Sequence, residues 1–192
     1  MKRIPMILII MFMASTSLFG QAAWNLDKAH SSIMFTAKHM VISEVVGSFK
    51  DFSISLKSDK DDFSDAVVQS TIKVASLSTD NAMRDGHLKS DDFFNAEKFP
   101  EINFKSTSFE KLGDNKYKIT GDLTIRDVTR NVTFDAVLNG TQKTNRGVMA
   151  SWKATTTINR FDFNLKWNKA LESGGLIVGQ DVAIALNLEM NK

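Results

Sequence analysis

The sequence predicts an all-β domain whose eight antiparallel strands close into a barrel. Three observations carry that reading. Beyond Ala23 the apolar residues recur mostly at every second position rather than at helical spacing, the period of a strand with one buried face. The positions between them are Thr, Lys, Asn, Asp and Gln, so each strand keeps a wet face; this suits an antiparallel sheet and not a parallel one covered on both sides. Turn signals fall between consecutive runs, the order of a meander.

The elements follow in chain order. Lys2 and Arg3 precede an unbroken apolar run from Met6 to Ala14. Polar Ser15-Thr16-Ser17 comes next, and Gly20-Gln21-Ala22 sets small residues at minus three and minus one of a cleavage point. That is the pattern of a secretory signal peptide over residues 1–22, leaving a mature domain of residues 23–192. The run falls well short of the roughly 20 apolar residues of a membrane span. No later segment is longer, so a soluble protein outside the cytoplasm is expected. The strands then place inward Ile33, Phe35, Ala37 and His39; the segment Phe49 to Leu56; and Val68, Ser70, Ile72 and Val74. Next come Ile102, Phe104, Ser106 and Ser108, then Tyr117, Ile119, Gly121, Leu123 and Ile125. Val132, Phe134, Ala136 and Leu138 form the sixth, Val148 to Ile158 the seventh, and Val182, Ile184, Leu186 and Leu188 the eighth. Turns are read at Gly113-Asp114-Asn115, at Arg126 to Arg130, and from Asn139-Gly140 to Arg146-Gly147. Short helical turns are expected at Asn81 to Asp85, at Ser90 to Glu97 with Ser90 as its N-cap, and at Leu165 to Leu171.

Closing the sheet removes its edges. An eight-stranded barrel is either just filled by its own side chains or holds one slender ligand. The small inward residues, such as Ala37, Ser70, Gly121, Ala136, Ala150 and Ala154, fit both cases. They interdigitate with aromatics in a solid core, and they equally leave room for a cavity.

Composition narrows the function. With 43% hydrophobic and 24% charged residues the chain is a foldable globular one rather than a disordered tract. Of 24 Lys and Arg against 22 Asp and Glu, two of the basic residues lie in the leader, so the mature charge is balanced. Without a basic field or block, nucleic acid is not an expected partner. There is no cysteine, hence no disulfide, thiolate metal site or Cys nucleophile. His30, His39 and His87 are too scattered for a metal motif. Asp59, Asp61, Asp62 and Asp65 fail the EF-hand pattern, which wants Gly at Ser64 and Glu at Ser70, and read as a solvated acidic turn. No nucleophile elbow, phosphate loop or dinucleotide fingerprint is present. His39 is either a polar group at the end of a cavity or a histidine bonded to backbone at a strand end. The Phe-rich, Tyr-poor aromatic set suits both an ordinary core and a hydrocarbon-binding lumen.

Several motifs then coincide. His30-Ser31-Ser32-Ile33-Met34-Phe35-Thr36-Ala37-Lys38-His39-Met40 with Gly47-Ser48-Phe49 resembles the opening motif of the YceI-like family of exported lipid-binding proteins. Arg84 to Phe94 and Lys98-Phe99-Pro100 are similar to its central motif. Gly121 to Ile125, Val128-Thr129-Arg130, Ile158 to Phe163 and Val178 to Val182 resemble the later ones. Asp127 and Asn164 depart from it, standing at turns where the family usually has Gly. The resemblance implies an extended lipocalin-like barrel with short helical insertions, whose tunnel holds an isoprenoid quinone, a polyprenyl chain or a similar long amphiphile in the periplasm. Carried over by motif, Ile33, Phe35, His39, Phe49, Phe93, Phe94, Leu123 and Trp152 line the tunnel; alternation adds Phe104, Ile119, Phe134 and Ile184. Arg84, Asp85 and Arg160 are expected to brace the short helix against the rim. In that reading no bond is made or broken, so no enzyme, catalytic residue, cofactor or metal is expected. Transient membrane contact and a homodimer are further expectations. The alternative is a stress factor or protein-interaction module acting through its surface.

Overall fold

The structure, a computed structural model, describes residues 21–145, 147–172 and 174–192. The leader read at residues 1–22 lies outside them except for Gln21 and Ala22.

Eleven strands make eight staves. β1 (Ala23–Leu26) and β2 (Ser32–His39) form one stave, bent at a 3₁₀ turn over Lys28–His30 whose first free amide, Ala29 N, is capped by Asp27. β3 (Ser43–Phe49) and β4 (Phe52–Lys57) form the second, bent at Lys50-Asp51. β5 (Val67–Lys73) and β6 (Leu77–Ser78) form the third, bent at the 3₁₀ turn Val74–Ser76. The bends are tied together: Lys73 N donates to Asp51 O at 2.9 Å and Lys50 N to Ser76 O at 3.2 Å. Five unbroken staves follow: β7 (Glu101–Gly113), β8 (Lys116–Ile125), β9 (Val128–Thr144), β10 (Gly147–Asn159) and β11 (Val178–Asn191). Every stave pairs antiparallel with its neighbour in sequence. β11 closes the ring on the first stave, pairing with β2 from Ala37–Val182 to Ser32–Asn187 and with β1 at Leu26–Met190. The expected eight-stranded closed meander is therefore present.

One end is sealed. The loop 58–66 folds inward and drives Phe63, 1% exposed, between Trp24 and Trp152, each ring centroid 5.0 Å away. Tyr117 and Phe109 also pack against Trp152, and the Tyr117 hydroxyl donates to Asp62 O at 3.0 Å. The acidic turn is a hydrogen-bonded loop. Asp65 accepts from the Ser58 hydroxyl at 2.6 Å and from Asp59 N and Lys60 N, which holds its pKa down at about 2. The opposite end carries α1 (Ala82–Lys89), the loop to β7, the turn Arg126-Asp127 and the long loop from β10 to β11.

The structure corrects five local expectations. Ser108 does not face inward: a bulge between Ser106 and Ser108 reverses the alternation, so Phe109 is buried instead. Asn139-Gly140 is not a turn but a bulge within β9, where Gly140 pairs with Ser151 and Leu138 with Trp152. Ser90 does not cap a second helix; Asn81 caps α1 through Arg84 N, and the Ser90 hydroxyl donates back to His87 O at its end. Leu165 to Leu171 is not helical. The carbonyls of Leu165 and Trp167 are taken by the Arg160 guanidinium, leaving a 3₁₀ turn over Arg160–Phe163 and an open loop with one bridge, Ala170–Leu176. The fifth, His39, concerns the site.

Candidate functional site

Inside the barrel lies a cavity of about 190 Å³ lined almost wholly by hydrocarbon. Its wall runs from Trp152, Phe109 and Met190 beside the sealed end to Leu88, Phe93 and Arg160 at the other. One water-sized sphere needs about 10–15 Å³, so the space exceeds that of a single water by roughly an order of magnitude.

Two glycines explain why the lumen is not filled by its own aromatics. Phe35 lies against Gly47 on the paired strand, with its ring where a Cβ would be: Cζ would sit 2.2 Å from it. Phe104 likewise covers Gly121, which also faces Lys105 O at a would-be 2.4 Å. The tips of both rings occupy the space that a side chain at these positions would take. Edge-on and tilted contacts, Phe35–Phe49 at 5.6 Å, Phe49–Phe94 at 6.1 Å and Phe104–Phe134 at 5.4 Å, fix them there.

The residues singled out in the sequence converge, with one exception. Ile33, Phe35, Phe49, Phe104, Ile119, Leu123, Phe134, Trp152 and Ile184 reach the cavity from the strands, and Phe93 and Phe94 from the loop after α1. His39 does not: it ends β2, half-buried, with Nδ1 3.4 Å from the Ser43 hydroxyl and outside the cavity wall. The alternation that carries Ile33 to Ala37 inward runs out at the hairpin. Sequence reasoning left out Phe109, hidden by the bulge, and Leu88, which a helix rather than a strand presents. It also placed Arg160 in the brace alone, whereas its side chain forms part of the wall.

The end carrying α1 is braced by polar networks. The Thr79 hydroxyl donates to Asp85 at 2.6 Å and accepts from Arg84 Nε at 2.7 Å, clamping the helix to the end of β6 and lowering the Asp85 pKa. Arg126 Nη1 donates to Phe93 O at 2.8 Å, holding the phenylalanine loop against the barrel. The two departures from the family pattern meet each other: Asn164, left-handed at φ 60°, donates to the Asp127 carboxylate at 3.3 Å. Asparagine tolerates that backbone region better than most side chains. Arg160, 3% exposed, donates to the carbonyls of Gly179, Leu165, Trp167 and Val178, and burial pushes its pKa below the usual guanidinium value.

Two histidines find carboxylates away from the cavity. His87 Nε2 lies 2.9 Å from Asp92, its ring edge-on to Phe93 and Trp167. His30 Nδ1 lies 3.1 Å from Asp27 and 3.8 Å from Glu189 on the outer surface, and Asp27 first, then Glu189, raises its pKa. Neither histidine belongs to the cavity wall. No helix among the described residues is long and apolar enough to cross a bilayer.

The profile of the YceI-like domain matches residues 24–190, the extent of the barrel. The chain belongs to the YceI-like family. The UPF0312 protein SA2479 of Staphylococcus aureus (strain N315) is 38% identical over 170 residues, 88% of this chain and 96% of that protein. Among solved structures, BcnA of Burkholderia cenocepacia superposes with a TM-score of 0.76 at 27% identity, covering 86% of this chain and 99% of BcnA. A polyisoprenoid binding domain from Saccharophagus degradans, implicated in plant cell wall breakdown, shares the fold at a TM-score of 0.63 and 15% identity. That match covers 89% of this chain and 98% of the domain.

Proposed function

We propose that this YceI-like protein is exported to the periplasm and there binds and carries one long-chain isoprenoid lipid, an isoprenoid quinone or a polyprenyl chain, in its barrel. The observation that carries the reading is the lumen itself: a continuous hydrocarbon-lined space in a barrel sealed at one end by Phe63. Each methylene moved from water into such a wall gains roughly 0.8 kcal/mol, so length of chain, more than polar contacts, sets affinity. The name of the Saccharophagus degradans domain supports an isoprenoid as occupant. The signal-peptide pattern of residues 1–22 supports export.

Mass spectrometry of an organic extract of the purified, exported protein tests the proposal. A long-chain isoprenoid at near one per chain, with the mature N-terminus at Ala23, is the expected result. A clean extract together with no uptake of added quinone would overturn it.

A further inference from the structure

We infer that the hairpin tip Met40-Val41-Ile42 is a lipid-bilayer anchor, which dips aliphatic side chains into a membrane surface and sets the barrel down with its α1 end toward the lipid. The inference rests on the proposed carrier function and deepens it by naming the surface that meets the membrane.

The tip joins β2 to β3, turning between the paired residues His39 and Ser43. Met40 is 46% exposed, Val41 58% and Ile42 90%, so an isoleucine stands almost wholly in water. Hairpin turns ordinarily use Gly, Asn or Asp, which are soluble and tolerate a positive φ. Here Met40 and Val41 hold φ of 50° and 69°, a costly conformation for a β-branched valine. Three consecutive aliphatic residues therefore occupy a turn that solvation and backbone sterics both disfavour. The turn is nonetheless held in place. Met40 N donates to Ile177 O at 2.8 Å, and Val41 Cγ2 lies over Gly175, 2.8 Å from where a Cβ would be. Toward the sealed end the exposed Val67, Leu112 and Val137 stand on three different strands, an ordinary scatter.

The tip belongs to the end opposite the floor. Val178, which pairs with His39, is part of the cavity wall, and Leu88 of α1 lines the same end. Met83, 88% exposed on α1, adds a fourth unpacked aliphatic side chain there. The occupant follows from size. A stable protein interface covers about 800 Å² of each partner with about 20–30 residues, and three residues on a turn fall far short of that. A bilayer sets no such threshold, because hydrocarbon closes around a projecting side chain on all sides and each aliphatic group gains its own transfer free energy. The charged residues on the strands just behind the tip, Lys38 and Glu44, pair with each other at 2.7 Å, which leaves the approach to apolar burial. A cargo that is itself a membrane lipid has to leave and rejoin a bilayer, and the tip brings the Leu88 end of the lumen to that surface.

Flotation of the mature protein with vesicles of phosphatidylethanolamine and phosphatidylglycerol in equal parts is the test. Wild type is expected to float with the vesicles. Ile42→Asp should lose at least about tenfold in partition coefficient, the scale of one aliphatic side chain returned to water, at an unchanged melting temperature. Ile42→Asn, the kind of residue such turns favour, is the second variant and should lose likewise. Leu112→Asp, at the sealed end, should float as wild type does. Wild type that stays in the aqueous fraction, Ile42 variants that float as wild type does, or a Leu112→Asp loss of equal size overturns the inference. So does a concentration-dependent dimer in sedimentation that Ile42→Asp abolishes, since that assigns the tip to a second copy of the chain. Uptake of an isoprenoid quinone delivered in detergent micelles is read separately, and wild type and Ile42→Asp should load equally. Wild type that floats but takes up no quinone overturns the carrier reading and not the anchor.

Discussion

Gly47 and Gly121 keep the bore open by offering no side chain, and they do so against neighbours of different stiffness. An added Cβ at position 47 meets the tip of the Phe35 ring, which swings away, and the space available to it is the lumen. Gly47→Ala is therefore expected to weaken ligand uptake more than it lowers the melting temperature. At position 121 the nearest atom is the Lys105 carbonyl, part of a paired strand. Gly121→Ala should cost roughly 1–3 kcal/mol in denaturant unfolding, as overpacking a wall that cannot yield does. Asp65 makes a pH-dependent contribution. Its folded pKa of about 2 lies below the ordinary carboxylate value of 3.8, so the stabilisation is fully present above that value and lost as pH falls through about 2. Melting curves of wild type and Asp65→Asn should differ at neutral pH and converge near pH 2. A gap that persists at low pH would show that the Ser58 and backbone contacts are not what lowers this pKa.

At the scale of elements, the rim depends on α1 being clamped by Thr79. Thr79→Val removes the hydroxyl that links Asp85 and Arg84 but leaves Thr79 N bonded to Asp85 at 2.8 Å. Losing that buried link should cost roughly 1–3 kcal/mol. Amide exchange over residues 82–89 should quicken while β7 to β10 stay protected; uniform quickening would mean the clamp serves the whole barrel. The strands were largely legible because β8 and β10 alternate without interruption, a pattern set by local chemistry. β3 was not, since Val45 and Val46 are apolar in succession and inward Gly47 carries no hydrophobic signal. The loop after Arg160 departs from the expected helix for a tertiary reason: a buried guanidinium removes the carbonyls of Leu165 and Trp167 from any helical ladder. His39 lies outside the cavity wall although it shares the inward parity of β2, because alternation states a parity and not where the wall ends.

For the whole molecule, strand number and closure could be read from periodicity, but hollowness could not. Alternating Ala and Phe describe a packed core and a lined tunnel equally well; ring orientation over the two glycines decides between them, and no sequence pattern encodes it. The floor belongs to this scale too: Phe63→Ala should cost about 3–5 kcal/mol, since it vacates a fully buried position between two indoles. The most direct test of the hollow barrel is to fill it. Ala154 faces the lumen from β10. Ala154→Trp, titrated with a defined isoprenoid quinone beside wild type, should keep the β circular-dichroism spectrum and lose the one-to-one binding expected of wild type. A folded variant that binds as wild type does would contradict the account.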